Sequence, residues 1–462
     1  MTTIVNTKLG EIKSKGLKRI WLEGQKLARE GYRPGDRLDL SVSGKGLVAN
    51  VTPSGKYTIS RRKTKTGRIY PVIDLTASEI AELFDTGEKL RVAIQKGTIV
   101  ITCHHQEDQV REREDRLIKK IGSGKPLDMV SLFHGGGILD RSLHDGYKRV
   151  GIKTRLAVAS EIEPKYLDCS MRNNSIWDKD TLAIEGPIQD IDLRDMNQPD
   201  IVVAGLPCVG ASKSGKSKNK IKYAESHPEA GALFFSTLEV IKTLNPALVW
   251  LEQVPEYLNT ASWAVVFSVL SSLKYKLHVQ VLDSYELGAL EKRRRMCCIA
   301  VSEGLDSNFS MEDIHPIRKR ESNIGEILEA VPKDSARWKK FKYLKDKEIR
   351  DKKDKKGFLR QIVTPDSDRC GTIGRLYHKY RSTEPFVPHP EDPSKSRIFI
   401  PVEHARVKTI PEELIRDEVD CTAHEILGQS VIKCAFEAAA FAHGRSLANT
   451  YITGAEKTQC AA

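Results

Sequence analysis

Six short apolar runs lie between residues 127 and 303, and helix-like stretches separate several of them. Their length and apolar character are typical of buried strands, and they cover residues 129–133, 156–159, 201–204, 248–251, 277–282 and 296–301. Residues 233–244 and 263–273 have the apolar spacing of helices. The alternation predicts an α/β domain in which a mostly parallel sheet carries helices on both faces.

The first 105 residues have a different pattern, with short alternating strands joined by glycine turns. Residues 34–48 and 86–101 form an imperfect internal repeat, and each predicts a hairpin. Between them, Arg61, Arg62 and Lys63 open a basic segment that is a candidate for phosphate contacts, with a solvated charge run as the alternative. The arrangement is similar to the small swapped-hairpin DNA-binding folds of the bacterial AbrB/SymE type.

Changes in pattern divide the rest of the chain. We expect a β-rich domain over 1–105, a charged linker or helix over 106–126, an α/β domain over 127–303, a polar, loop-rich insert over 304–395, and a return to the α/β domain over 396–462. The last segment contains a helix pattern at 431–443.

Composition narrows the setting of the protein. The 462 residues carry a net charge of +12, which favours a polyanionic partner. No run of apolar residues is long enough for a membrane span, and the N-terminus has no signal-peptide pattern. The nine cysteines include no CxxC pair, so we expect neither a disulfide framework nor a metal site. Such cysteine usage is typical of a reducing compartment, and we expect a cytoplasmic location.

A glycine-rich turn follows the first strand, with Gly135 and Gly137 after Phe133. Glu161 ends the second strand, 26 residues after Gly135. Glycines allow close approach of a nucleotide-like group, and a carboxylate can accept hydrogen bonds from both ribose hydroxyls. Together they predict an adenosine-type cofactor; a tight turn and a solvated carboxylate are the alternatives.

Reactive groups follow the later strands. Cys208 comes directly after Pro207 and enters a small, basic loop, where a thiol can be held as its nucleophilic thiolate. Glu252 ends the next strand, and Arg293 and Arg295 precede the last one. Ligands bind at the carboxyl edge of such sheets, so we expect these groups to meet in one cleft. For the cysteine alone, a structural role is the alternative.

In this order the residues resemble the DNA cytosine-5 methyltransferases. The resemblance runs from about residue 127 to 445, and its motifs are Phe133-x-Gly135-x-Gly137, Glu161, Pro207-Cys208, Glu252-x-Val254, Arg293-x-Arg295 and Gly428-x-Ser430-Val431. It implies a Rossmann-like S-adenosylmethionine-dependent methyltransferase sheet with a target-recognition region over 304–395. Residues 397–406 are similar to the family's segment after that region.

The resemblance also implies a mechanism. The target cytosine is flipped out of duplex DNA, Cys208 attacks carbon 6, and methyl passes from S-adenosylmethionine to carbon 5. Glu252 holds or supplies a proton at ring nitrogen 3, Arg295 contacts the base oxygen, and Arg293 supports the site. Ser212 and the basic loop after it bind phosphates, and no metal takes part.

Cofactor contacts carried over from the family fall on Phe133, Gly135, Gly137, Glu161, Ile162, Asp190, Pro207 and Ser430. Several positions depart from the family pattern, and most of them lie on the cofactor side: Ile162 in place of an aromatic, Pro187 in place of an acid, Gln253 and Gln429 in place of asparagines, and Leu290-Glu291 in place of Pro-Gln. Asp190 is the candidate for the adenine contact that Pro187 cannot make.

Three functions remain open from the sequence. The first is cytosine-5 methylation of double-stranded DNA by a monomer from a prokaryote or its phages and mobile elements, in a restriction–modification setting. The second is RNA cytosine-5 methylation on the same scaffold. The third is a DNA-binding regulator that has lost catalysis, against which the intact Cys208, Glu252 and Arg295 argue.

Overall fold

The computed structural model describes residues 2–194, 196–207, 225, 231–305, 308–354 and 359–452. The chain divides into two compact units, Met1–Glu112 and Arg113–Ala462. The five-part division from the sequence stays a prediction.

The first unit is built from short antiparallel strands around one apolar core. Its elements are β1 (Thr3–Lys8), β2 (Gly10–Ile12), β3 (Leu17–Glu23), α1 (Gln25–Arg29), β4 (Arg37–Ser43), β5 (Gly46–Val51), β6 (Tyr57–Thr58), β7 (Ser60–Lys63), β8 (Ile69–Leu75), α2 (Ser78–Leu83), β9 (Lys89–Gln95) and β10 (Thr98–Cys103). They form a six-stranded sheet, β1-β9-β10-β5-β4-β6, and a four-stranded sheet, β2-β3-β8-β7. The two hairpins predicted from the repeat are β4–β5 and β9–β10.

The second unit contains the expected α/β sheet. Its elements up to residue 302 are β11 (Leu127–Leu132), α4 (Ile138–Lys148), β12 (Thr154–Glu161), α5 (Pro164–Asn173), β13 (Leu182–Glu185), β14 (Ile201–Gly205), α6 (Leu233–Leu244), β15 (Leu248–Gln253), α7 (Ala261–Ser272), β16 (Tyr275–Asp283) and β17 (Arg294–Ser302), preceded by α3 (His105–Gly122), which begins in the first unit. The strand order is β13-β12-β11-β14-β15-β17-β16.

Strand β17 is antiparallel to both of its neighbours, whereas the other strands of the sheet run parallel. The carboxyl ends of the parallel strands therefore share one edge, and β17 begins at that same edge. This reversal places the start of β17, with Arg295, beside the end of β15, with Glu252.

Helices cover both faces of the sheet, as predicted. On one face, Trp250 donates to the hydroxyl of Tyr147 in α4 at 3.2 Å. That hydroxyl lies 2.9 Å from Nδ1 of His443. Leu244 and Leu270 pack on the opposite face with the other side of β15. Among the described residues, no helix is long and apolar enough to cross a membrane, and no cluster of three metal-ligating side chains occurs.

Residues 308–354 and 359–397 are largely irregular, and the helices after them contribute to the apolar core beside the sheet. The elements of this part of the chain are β18 (Lys339–Lys340), α8 (Lys342–Lys353), β19 (Gln361–Ile362), β20 (Pro385–Pro388) and β21 (Lys395–Arg397), followed by α9 (Pro401–Val407), α10 (Asp420–Gln429) and α11 (Lys433–Tyr451). The helix α8 lies in the charged run that the sequence assigned to loops.

Two buried ion pairs support the insert and the segment after it. Arg397 makes a bidentate pair with Glu403, at 2.6 and 2.8 Å. Lys408 Nζ lies 2.9 Å from Glu291 Oε2, and neither side chain is exposed. Burial and the nearby guanidinium of Arg293 lower the pKa of Lys408 to about 7. Glu291, which stands where the family has glutamine, is thus paired with the buried ammonium group of Lys408.

We predict that Glu291→Gln destabilises the protein by about 3–5 kcal/mol, because it leaves the Lys408 ammonium buried without its counter-charge. The loss should be largest well below pH 7 and should narrow as the pH rises towards about 7, because above that value Lys408 is neutral in the folded state and needs no counter-charge. Urea unfolding curves measure both effects. The double variant E291Q/K408M should recover most of the stability, and a single variant as stable as the parent would show that the pair is unimportant.

Candidate active site

An ion pair marks the carboxyl edge of the sheet. Glu252 Oε1 lies 3.0 Å from Arg295 Nε, and the two side chains are 13% and 15% exposed. Arg295 Nη1 also donates to the Arg294 carbonyl at 2.7 Å. Gly205 stands opposite Glu252 across β14 and β15, and a Cβ there would lie 3.7 Å from Oε2. The carboxylate is therefore oriented by the guanidinium and open on the side of β14.

Burial raises the pKa of Glu252, although Arg295 and Arg293 oppose the shift. A carboxyl with a raised pKa can be protonated at a higher pH than a solvated one. A carboxyl that can donate a proton to a bound base therefore lies next to a fixed guanidinium donor.

Gln253 connects the end of β15 to the end of β14. Its Nε2 donates to the carbonyls of Leu206 and Pro207, each at 3.2 Å, and its Oε1 accepts from the Val254 amide at 2.7 Å. These bonds hold Pro207, the residue before Cys208, beside Glu252. Cys208 itself, Ser212 and the basic loop lie outside the described residues.

Most of the other cysteines are poor nucleophiles. Six of the seven in the described part of the chain are buried, and Cys421 is exposed. Burial raises the thiol pKa of all six, to about 12 in Cys103, Cys169 and Cys298, to about 11 in Cys434, and well above the usual value in Cys297 and Cys370. A raised pKa disfavours the thiolate. These six thiols are therefore unsuited to attack a base.

The buried Arg293 side chain is held by backbone carbonyls. It is 4% exposed, and it donates to the carbonyls of Ile373 at 3.1 Å and Gly428 at 3.3 Å. Its backbone amide donates to the Ser284 hydroxyl at 2.8 Å. These bonds tie the start of β17 to the insert and to α10.

The glycine turn after β11 is held in a backbone conformation that few side chains adopt. Phe133, Gly135 and Gly137 all have positive φ, at 58°, 57° and 71°. A Cβ on Gly137 would lie 2.7 Å from both His134 Nε2 and Asn174 Nδ2. The turn therefore requires glycine at 137 for space as well as for conformation.

Buried polar groups beneath this turn were missed by the sequence analysis. His134 Nδ1 lies 3.0 Å from both the Ser131 hydroxyl and Asp140 Oδ2, and its Nε2 lies 2.8 Å from the Ser170 hydroxyl. Asn174 donates to the Gly137 carbonyl at 3.1 Å. The one sequence signal for these buried contacts was the position of His134 inside a glycine turn. These contacts fix the turn from below.

Glu161 lies against the same turn. Its Oε2 accepts from the Gly135 amide at 2.6 Å, and its Oε1 accepts from the amides of Ile162 and Glu163, each at 2.9 Å. A carboxylate has about four acceptor positions, so roughly one remains for a ribose hydroxyl. The prediction that Glu161 receives both hydroxyls needs the Gly135 bond to open.

Other predicted cofactor residues surround this edge. The Ile162 side chain is 62% exposed, and Asp190 is exposed in the 3-10 turn after β13. Ser430 donates to the Ile426 carbonyl at 2.6 Å, so its hydroxyl retains only acceptor capacity. Gln429 lies beside the turn, with Nε2 3.7 Å from a Cβ built on Gly135. An apolar surface, carboxylates and a glycine turn fit an adenosine group.

The basic candidates of the first unit lie on the edge strand β7, and all three are exposed. Arg62 forms an ion pair with Glu23, so its charge is partly neutralised within the unit. Among the described residues, no ion pair reaches Arg61 or Lys63. Their assignment to DNA binding stays a prediction, with Arg62 the weaker candidate.

Comparisons with known proteins show which proteins this chain is similar to. The chain is 27% identical over 252 residues to Type II methyltransferase M1.ScrFI of Lactococcus lactis subsp. cremoris, which covers 53% of this chain and 62% of that protein. It is 27% identical to Type II methyltransferase M.MspI of Moraxella sp, over 54% of this chain and 56% of that protein. The chain thus spans less than two thirds of the length of these relatives.

Solved structures share the fold. The S. pombe Dnmt2 methyltransferase superposes with a TM-score of 0.55 at 18% identity, covering 71% of this chain and 99% of that one. The Entamoeba histolytica methyltransferase EhMeth gives 0.53 at 16% identity, covering 71% and 100%. The family model for C-5 cytosine-specific DNA methylases matches residues 127–442, about two thirds of the sequence. The chain therefore belongs to the C-5 cytosine-specific DNA methylase family.

Proposed function

We propose that this protein methylates carbon 5 of cytosine in double-stranded DNA. The observation that carries the proposal is the oriented Glu252–Arg295 pair, joined through Gln253 to the strand that leads into Cys208. Membership of the family supports the reaction class, and the net charge of +12 supports a nucleic-acid substrate. We further propose that it acts as a monomer in the cytoplasm of a prokaryote, encoded by the host or by a phage or mobile element, within a restriction–modification system.

The chemistry assigned to the chain starts with the flipped cytosine. The Cys208 thiolate forms a bond to carbon 6 while the Glu252 carboxyl gives a proton to ring nitrogen 3. The electron pair of the 5,6 double bond is thereby made available at carbon 5. Arg295 keeps Glu252 oriented and donates to the base oxygen. After methylation, carbon 5 loses its proton to solvent, the bond between sulfur and carbon 6 breaks, and ring nitrogen 3 returns its proton to Glu252, which restores the ring, the thiolate and the carboxyl.

S-Adenosylmethionine, when bound, supplies an electrophilic methyl group. In this proposal Glu161 and Asp190 accept hydrogen bonds from its polar groups, and the exposed Ile162 gives an apolar surface for its adenine. The glycine turn lets the backbone come close to the ligand. The chain therefore has the residues that this donor needs.

Transfer of labelled methyl to duplex DNA and to RNA separates the proposed function from its alternatives. Incorporation into duplex DNA at positions that bisulfite sequencing reports as methylcytosine would support it. Incorporation into RNA alone would favour the RNA enzyme, and duplex binding without any transfer would favour the regulator.

We predict that Cys208→Ser abolishes methyl transfer while duplex binding is retained, because a hydroxyl at neutral pH has almost no nucleophilic anion. Filter assays of labelled methyl and a gel-shift titration measure the two properties. Cys421→Ser is the matched control, since it removes the exposed thiol of α10, and it should be fully active. Near-normal methylation by C208S would show that the nucleophile is elsewhere.

We predict that Glu252→Gln lowers kcat by about 10²–10⁴-fold, because an amide cannot give a proton to the ring. The parent should lose activity as the pH rises through the raised pKa of Glu252, whereas the variant should lack this decline. Rate profiles at saturating DNA measure the change. Glu239→Gln, at an exposed position of α6, is the control. An alkaline decline that persists in E252Q would contradict the role of Glu252 as the acid.

A further inference from the structure

The first unit consists of two similar halves of six elements each. The elements of the first half recur in the same order, β1-β2-β3-α1-β4-β5 and then β6-β7-β8-α2-β9-β10. Gly35-Asp36-Arg37-Leu38 recurs 52 residues later as Gly87-Glu88-Lys89-Leu90. The repeat in the sequence is therefore a repeat of the whole half-unit.

The strand pairing relates the halves by a pseudo-twofold axis. In the centre of the four-stranded sheet, Ile20 pairs with Leu75 and Leu22 pairs with Ile73. Exchanging the two halves turns one of these pairs into the other, so the pairing register stays the same. The first strand of each half pairs with the fifth element of the other half. Strand β1 pairs with β9, and β6 pairs with β4. Each half thus depends on the other for its sheets.

Each half also carries a basic hairpin turn. The first is Lys13-Ser14-Lys15-Gly16, between β2 and β3. The second begins at Lys63, the last residue of β7, and continues through Thr64-Lys65-Thr66-Gly67 towards β8. All four lysines are exposed. Across the described residues, no ion pair or hydrogen bond reaches their ammonium groups.

The charges near the axis are neutralised instead. Arg19 makes a bidentate pair with Asp74, at 2.7 and 2.8 Å, and Arg62 pairs with Glu23. Trp21, 39% exposed, lies opposite Asp74 at the axis. The four-stranded sheet therefore presents uncompensated positive charge at its two hairpin turns and a neutral centre.

The pairing register gives the separation of the two turns. One turn precedes Leu17 of β3, the other precedes Ile69 of β8, and the two strands are antiparallel, so the turns lie at opposite ends of the sheet. Glu23 pairs with Val72. Following β3 from Leu17 to Glu23 and then β8 from Val72 to Ile69 covers about 30 Å at roughly 3.3 Å per residue. One helical turn of B-DNA is about 34 Å.

We propose that the two lysine turns bind the phosphate backbone of duplex DNA at two places about one helical turn apart, with the pseudo-twofold axis of the unit facing the duplex. The inference deepens the proposed function and takes its duplex partner from it. It extends the contact from the Arg61-Arg62-Lys63 run of one half to lysines at the corresponding turn of the other half. The contacts are to phosphates, so they add affinity without reading sequence.

The test compares K13Q/K15Q, K63Q/K65Q and the quadruple variant of the full chain, without cofactor, on a 30-base-pair duplex chosen to span about three helical turns. Each pair of substitutions should weaken binding about tenfold and reduce the slope of log K against log salt by about two. The control K45Q/K96Q removes one exposed lysine from each of two other turns, β4–β5 and β9–β10, and should bind like the parent. K13R/K15R keeps both charges and should also bind normally.

A duplex of about seven base pairs, roughly 24 Å long, adds a geometric control, because it is shorter than the separation of about 30 Å between the two turns. On this short duplex, the affinity difference between the parent and the quadruple variant should be no larger than the affinity that the parent itself loses when the duplex is shortened. Equal effects of the two turns on the long duplex support the proposal. An effect of one turn alone, an equal loss in K45Q/K96Q, unchanged salt slopes, or stronger binding to an RNA duplex would overturn it. Binding is measured without turnover, so a chain that binds this way but transfers no methyl would refute the proposed function and leave this inference standing.

Discussion

The site depends on the ion pair between Glu252 and Arg295. The two residues are 43 positions apart in the sequence, and they meet because β17 is inserted antiparallel between β15 and β16. With β17 in the parallel direction, Arg295 would lie at the opposite edge of the sheet. The reversal therefore gives the acid its guanidinium partner, and the pair keeps the carboxylate oriented in a position where burial raises its pKa.

Around this pair, buried polar contacts join segments that are distant in the sequence. Gln253 ties β15 to the end of β14, and Arg293 ties β17 to the insert and to α10. Glu291 and Lys408 form a buried pair between the segment before β17 and the end of α9. Breaking one such contact leaves a buried group without its partner, which costs more than the contact contributes. The insert and the catalytic edge are thus energetically coupled.

Much of the fold could be predicted because its signals are local. Apolar runs predicted the strands, and their alternation with helices predicted the α/β class. The strand ends beside Glu252 and Arg295 predicted the shared edge at which these two residues meet. The glycine turn and Glu161 were predicted to serve one cofactor, and in the structure the Gly135 amide bonds to that carboxylate. The helix α8 was missed because its charged sequence carries almost no apolar periodicity.

Contacts between distant residues were beyond reach of the sequence. Nothing local shows that Lys408 faces Glu291, that Arg62 pairs with Glu23, or that His134 contacts Asp140 under the turn. The three backbone amides that bind Glu161 depend on a turn geometry that composition does not set. The pseudo-twofold pairing of the first unit likewise required the register, since the repeat alone does not tell which strands are exchanged.

Covalent capture of a fluorinated substrate tests the central claim most directly. In a duplex with 5-fluorocytosine at a position that the protein methylates, carbon 5 carries fluorine and has no proton to lose after methyl transfer. The bond between the base and the enzyme therefore cannot break. The account predicts a stable adduct that forms only with S-adenosylmethionine, with the base attached to Cys208 in peptide mass spectra. Absence of an adduct on a duplex whose unfluorinated form is methylated, or attachment at Cys421 or another residue, would contradict it.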